Sequence, residues 1–132
     1  MKRVLAVLVV VAALGFAVSA IPALAKGTAK TAAAAGPVTL KGEIVDCGCY
    51  LSKGAKGEDH KECAQKCISG GMPMGLLTGD NRFYLLTVDH QNADPYNKCK
   101  DLVATMVEIT GKTYTRHGVS MIDVTDVKAA TN

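Results

Sequence analysis

Apolar and polar positions change their pattern near residue 26 of this chain. Residues 4–18 are an almost unbroken apolar run behind Met1-Lys2-Arg3, and residues 26–37 are Ala-rich with no periodicity. From Val38 onward the apolar residues come in short β-forming groups separated by turn formers. Val38, Leu40, Ile44 and Val45 make residues 38–49 a first strand. Gly42 interrupts it, as a glycine does where a strand bulges or bends. A polar, Gly-containing loop covers residues 52–58. Residues 59–68 read as a short helix, with Asp59 as N-cap and Glu62 three residues on. Gly70-Gly71 ends it and Pro73 bars its continuation. Residues 74–78 and 83–88 form a hairpin around Gly79-Asp80-Asn81. A polar loop with Pro95 leads to a helical turn at residues 97–102. Two further strands, 105–115 and 119–127, flank Arg116-His117-Gly118, and Gly111 breaks the first of them.

This order predicts a mainly β domain, a five-stranded OB-like barrel. The helix at 59–68 is inserted between strands 1 and 2. Glycine-marked bends in the first and fourth strands suit a closed, strongly coiled sheet. The alternative architecture is a five-stranded sandwich or open sheet.

The N-terminal pattern then acquires a meaning. A basic start, an apolar run and the small-x-small triplet Ala23-Leu24-Ala25 make residues 1–25 a signal peptide, with cleavage after Ala25. The segment is also long enough to span a bilayer, which takes ~20 apolar residues. Membrane attachment is therefore expected only if the segment stays uncleaved, and Pro22 with the Ala-x-Ala site favours cleavage. No Cys near the boundary offers a lipid anchor, and Lys2-Arg3 is not a twin-arginine signal. The expected division is a signal peptide (1–25), a flexible leader (26–37) and a single OB-like domain (38–132) that is periplasmic or secreted.

Charge narrows the partners. The formal net charge is +3, from 15 basic and 12 acidic side chains, and Lys2 and Arg3 supply two of the basic ones. What remains is near neutral, which argues against a nucleic-acid surface. Tyr50, Phe83, Tyr84, Tyr96 and Tyr114 are accordingly read as core and rim rather than as a stacking platform. A protein partner is compatible with the chain but unnamed by it. No Ser-His-Asp arrangement, phosphate-binding Gly loop or spaced carboxylate pair is evident. His90 and His117 stand alone in turns.

The chemistry is concentrated in residues 46–67, DCGCYLSKGAKGEDHKECAQKC. On a helix, His60, Cys63 and Cys67 fall within an arc of about 60°. Cys47 and Cys49, read on a strand, share one face. A bridge between them is disfavoured, because strand Cα atoms two apart lie ~6.5 Å from each other with parallel Cβ vectors. Bridges from Cys47 or Cys49 to Cys63 or Cys67 are geometrically easier. The full set of cysteines is Cys47, Cys49, Cys63, Cys67 and Cys99, an odd number, so one thiol is left over from any disulfide pairing. Asp46 stands where it could accept a hydrogen bond from His60 and set its tautomer.

The pattern D-x-x-C, a Gly-rich loop, then H-x-x-C-A-x-x-x-C-x-x-G-G-x-P resembles a group of small, uncharacterised exported bacterial domains with an OB-like strand pattern. Asp46, Cys49, His60, Cys63, Ala64, Cys67, Gly70, Gly71 and Pro73 carry the resemblance. Cys47 and Cys99 lie outside it, which implies that Cys49, His60, Cys63 and Cys67 act as a unit and leaves Cys47 and Cys99 as an optional extra disulfide.

Three readings of that unit compete. Three Cys and one His are a tetrahedral set for Zn(II), and thiolates equally suit Cu(I). Two of the cysteines could instead form a disulfide that staples an interaction module, as small exported domains often require. In the third reading His60 and a helix N-terminus activate Cys63 for thiol-redox chemistry, with Cys49 and Cys67 bridged. No C-x-x-C supports that last reading. Met72-Pro73-Met74 follows the helix; thioethers suit Cu(I), while the simpler and preferred reading is that one methionine packs in the core and the other is incidental. The expectation adopted is a metal-binding accessory protein, not an enzyme, with Cys49, His60, Cys63 and Cys67 as ligands to Zn or Cu and Asp46 behind them.

Overall fold

The computed structural model describes residues 36–131. The expected signal peptide and residues 26–35 of the expected leader lie outside them. Five strands, β1 (Val38–Asp46), β2 (Met74–Thr78), β3 (Phe83–Val88), β4 (Met106–Arg116) and β5 (Val119–Ala129), close into a barrel in the order β1-β2-β3-β5-β4. β3 and β5 run parallel and every other pair is antiparallel. This is the expected OB-like barrel, and the open sheet and sandwich are excluded. Among the described residues no helix is long and apolar enough to cross a membrane.

Closure depends on two glycines. β1 pairs with β4 over Val38–Glu43 and with β2 over Gly42–Asp46, so one strand serves both neighbours by coiling through Gly42. A Cβ on Gly42 would lie 2.5 Å from the Leu77 carbonyl oxygen. In β4 the register against β5 shifts between Thr110 and Gly111, and a Cβ on Gly111 would lie 2.0 Å from the Asp123 oxygen. Both glycines permit backbone approaches that any side chain would block. The barrel interior holds Ile44, Met74, Leu76, Val107, Ile109, Ile122, Val124 and Val127, all essentially inaccessible.

The segment between β1 and β2 holds more helix than the sequence pattern suggests. β1 ends at Asp46, and α1 (Cys47–Lys53) follows at once. Cys47 and Cys49 are therefore not on a strand, contrary to the expectation, and Ser52 and Lys53 are helical rather than loop. Asp46 is the reason. Its backbone is still extended, and its carboxylate accepts a hydrogen bond from the Cys49 N–H at 2.7 Å, which satisfies one of the otherwise orphaned donors of the first turn. Gly54, left-handed at φ 72°, closes the helix by donating to the Tyr50 carbonyl at 2.7 Å.

The second helix also starts differently. A 3-10 turn (Glu58–His60) leads into α2 (Lys61–Ser69), and His60, not Asp59, occupies the N-cap position, without a side-chain cap. The loop before it is tied to β1 by the Gly57 N–H, which donates to Glu43 at 2.5 Å. The expected turn at 97–102 begins earlier, as α3 (Asp94–Cys99), with Pro95 in the first turn where its missing N–H costs nothing, and continues as a 3-10 turn through Leu102.

Candidate metal centre

α2 is docked by Ala64 and Ile68, which are 2% and 6% exposed and join the barrel's core. Cys63 and Cys67 each precede one of these anchors. They therefore stand about 100° round the helix from the buried stripe, with Cys63 exposed and Cys67 partly buried. α1 reaches the same place from the other side. Its Tyr50 ring stacks on Phe83 of β3, with centroids 5.6 Å apart and planes 8° apart, and the Phe83 ring lies against Gly75 of β2. Cys49, one residue before Tyr50, is thereby presented to α2.

The sulfur atoms of Cys49, Cys63 and Cys67 all lie within 4.8 Å of one another. A second group, on the same distance limit, contains a carboxylate oxygen of Asp46, the Cys49 sulfur and a ring nitrogen of His60. The four expected ligands and Asp46 thus assemble as two triplets that share Cys49. His60 groups with Asp46 and Cys49 rather than with all three thiols.

Asp46 organises this overlap. It is fully buried, which is costly for a carboxylate unless its oxygens are occupied. Oδ1 accepts from the Cys49 N–H, and Oδ2 lies 3.1 Å from His60 Nε2. A carboxylate only accepts, so Nε2 donates in this pair, which leaves Nδ1 as the ring nitrogen not engaged by Asp46. One residue thereby ends a strand, caps a helix and fixes a histidine 14 positions further on. Asp46→Ala is expected to destabilise the fold by about 2–3 kcal/mol, through loss of the cap and of the acceptor for two partly buried donors. Asp46→Asn keeps the cap and should recover part of that loss. A thermal melt of both variants decides it; an unchanged Asp46→Ala midpoint would remove the carboxylate's structural role.

The electrostatics are one-sided. The Cys49 thiol is pushed up from 9.0 to about 11, by burial first and then by the Asp46 carboxylate and the Cys63 and Cys67 thiols. Each of these neighbours opposes a negative charge on the Cys49 sulfur. A cation at the shared point would reverse the balance, since a bound metal is the largest local charge and deprotonates a coordinating thiol.

Cys47 and Cys99 belong to neither triplet. Cys47 is two residues from Cys49, so on a helix it points about 200° away from it, and it is buried. Burial raises its thiol to about 11 and that of Cys99 to about 12. The Cys99 S–H donates to the Pro95 carbonyl at 3.3 Å. All five cysteines are free thiols.

Met74 is a core residue at 0% exposure, in keeping with the packing role expected for one of the pair. Met72 is placed differently. It is 37% exposed, and its thioether lies against Gly48, between Cys47 and Cys49. The only sequence signal for that contact was the missing side chain in Cys47-Gly48-Cys49. His90 and His117 lie outside both triplets. No family model, curated protein or solved structure matches this chain, so the site stands on its own geometry.

Proposed function

We propose that this protein binds one thiophilic metal ion, Zn(II) or Cu(I), through Cys49, Cys63 and Cys67, with His60 as a further ligand held by Asp46. The observation that carries this reading is the mutual approach of three cysteine sulfurs within 4.8 Å. Three thiolates suit Cu(I) directly, and a fourth donor such as His60 Nδ1 completes a Zn(II) tetrahedron. The protein acts as an exported binding or accessory protein, periplasmic or secreted. The pattern of residues 1–25 supports that location, and the resemblance of the Asp46–Pro73 motif to exported bacterial domains agrees with it.

The same sulfur distances would also let two of the three thiols oxidise to a disulfide, with the third left over, which is the stapled-module alternative. A redox role is less well supported. It needs His60 beside Cys63 to activate that thiol, and His60 groups with Asp46 and Cys49 instead.

The native mass of the reduced protein after incubation with Zn(II) or Cu(I) tests the proposal. One ion per chain is expected, lost on denaturation, together with protection of three thiols from alkylation. Removal of that ion by a chelator should lower the melting temperature, because binding energy at such a site is folding energy. No uptake by fully reduced protein would refute metal binding and leave the disulfide module.

A further inference from the structure

Zn(II) and Cu(I) would share the three thiolates here but differ in the extra donor each prefers. An imidazole suits zinc; a thioether, soft and uncharged, suits Cu(I) and adds little for zinc. The site has one of each within reach of its shared cysteine segment. His60 approaches through Asp46. Met72 approaches from the far end of α2.

Met72 is held at this position by several features. Gly71, at φ 100°, turns the chain back after α2, and the Met72 N–H donates to the Cys67 carbonyl at 2.9 Å. The side chain then crosses to α1 and settles on Gly48. A Cβ at position 48 would be 2.8 Å from Met72 Cε and 3.0 Å from its sulfur. The bare glycine is thus what admits the thioether against α1, at the position between Cys47 and Cys49. The same imaginary Cβ lies 3.6 Å from Asp46 Oδ1, the oxygen that caps the Cys49 N–H. Met72 is therefore tied by its backbone to one thiol-bearing residue and by its side chain to the neighbour of another. It also remains partly exposed, as Cys63 does.

We infer that Met72 supplies a thioether donor to the Cys49, Cys63 and Cys67 cluster, and that the ion this site selects is Cu(I). The inference rests on the metal-site reading above and goes beyond it by naming the ion and a further ligand. When the ion binds, Met72 would meet it at the exposed side, and each of the three thiols would give up its proton to solvent to ligate it as a thiolate.

The test compares Cu(I) and Zn(II) affinities of the reduced protein, by competition with a Cu(I) chelator and with a zinc-binding dye. Two variants are measured beside it. Met72→Leu keeps the volume and removes the sulfur, a swap that packing tolerates well. Gly48→Ala keeps the sulfur and pushes it away. Both are expected to lose Cu(I) affinity by about tenfold, the lower end of what a supporting group near a metal contributes, while zinc affinity stays within about twofold. Equal losses for both metals, or no loss for either, would overturn the role of Met72. Wild-type protein that takes zinc but not Cu(I) would overturn the choice of ion and leave the site standing. Protein that takes neither would remove the metal site itself.

Discussion

Cys49→Ser is expected to weaken metal binding by at least about 100-fold, beyond the 10–100-fold typical of groups that merely support a ligand. Cys49 is the only residue common to both triplets, so its loss removes a donor from the thiol cluster and disconnects His60 and Asp46 from it. Serine preserves the size of the side chain and leaves the Asp46 cap of α1 in place, because that cap uses the backbone N–H. Cys47→Ser is the matched control. It stands two residues away but points to the other side of α1, and its affinity should be unchanged. The pH dependence has a definite sign. Protons compete with the ion for a thiol raised to about 11, so apparent affinity should climb steadily as pH rises through the neutral range. Competition titrations of the two variants and wild type at two pH values would check this. Equal losses in both variants would mean that α1 does not sort the two cysteines as described.

Gly111→Ala should be the most damaging small substitution in the barrel, costing about 3 kcal/mol, the upper end for forcing atoms into a packed site. The added methyl would meet the Asp123 carbonyl at 2.0 Å and the Ile122 side chain at 2.9 Å. The carbonyl is backbone and cannot swing aside. The register shift at Thr110/Gly111 is also where β4 bends to let the barrel close, so relief by straightening β4 would open the sheet. For a domain of this size the loss corresponds to a melting point lower by more than about 10 °C. Calorimetry or circular dichroism would measure it, and a shift of a degree or two would show that the bulge accommodates a side chain. Gly48→Ala makes an instructive contrast. Its nearest contact is the end of a flexible methionine, so it should spare the fold and disturb only the ligand.

Much of this molecule was legible in the order of its residues. Short β-forming stretches bounded by turn residues placed all five strands, and Gly42 and Gly111 marked the two bends that closure needs. These signals are local: a strand's pleat and a glycine's lack of Cβ act on immediate neighbours. The helical spacing of Cys63 and Cys67 was legible for the same reason, as was the partnership of Asp46 with His60, which needs only complementary chemistry.

The state of Cys47 and Cys49 was not legible. Residues 47–53 show no apolar period, and the β-formers just before them make a continued strand the natural reading. The switch to helix occurs at Asp46, whose buried carboxylate is held both by the Cys49 N–H and by a histidine from beyond the next loop. That switch turns two cysteines that a strand would place side by side into one core thiol and one member of the sulfur cluster. The N-cap shift from Asp59 to His60 has a similar origin, since Glu43 of β1 anchors the preceding loop at Gly57. By itself, then, the sequence determined the barrel and the inventory of soft ligands, because both follow from local pattern and residue chemistry. Which sulfurs meet, and that Met72 comes to rest on Gly48, was decided only when Ala64 and Ile68 seated α2 on the barrel and Tyr50 stacked α1 on Phe83. Those contacts join distant parts of the chain, and no local period records them.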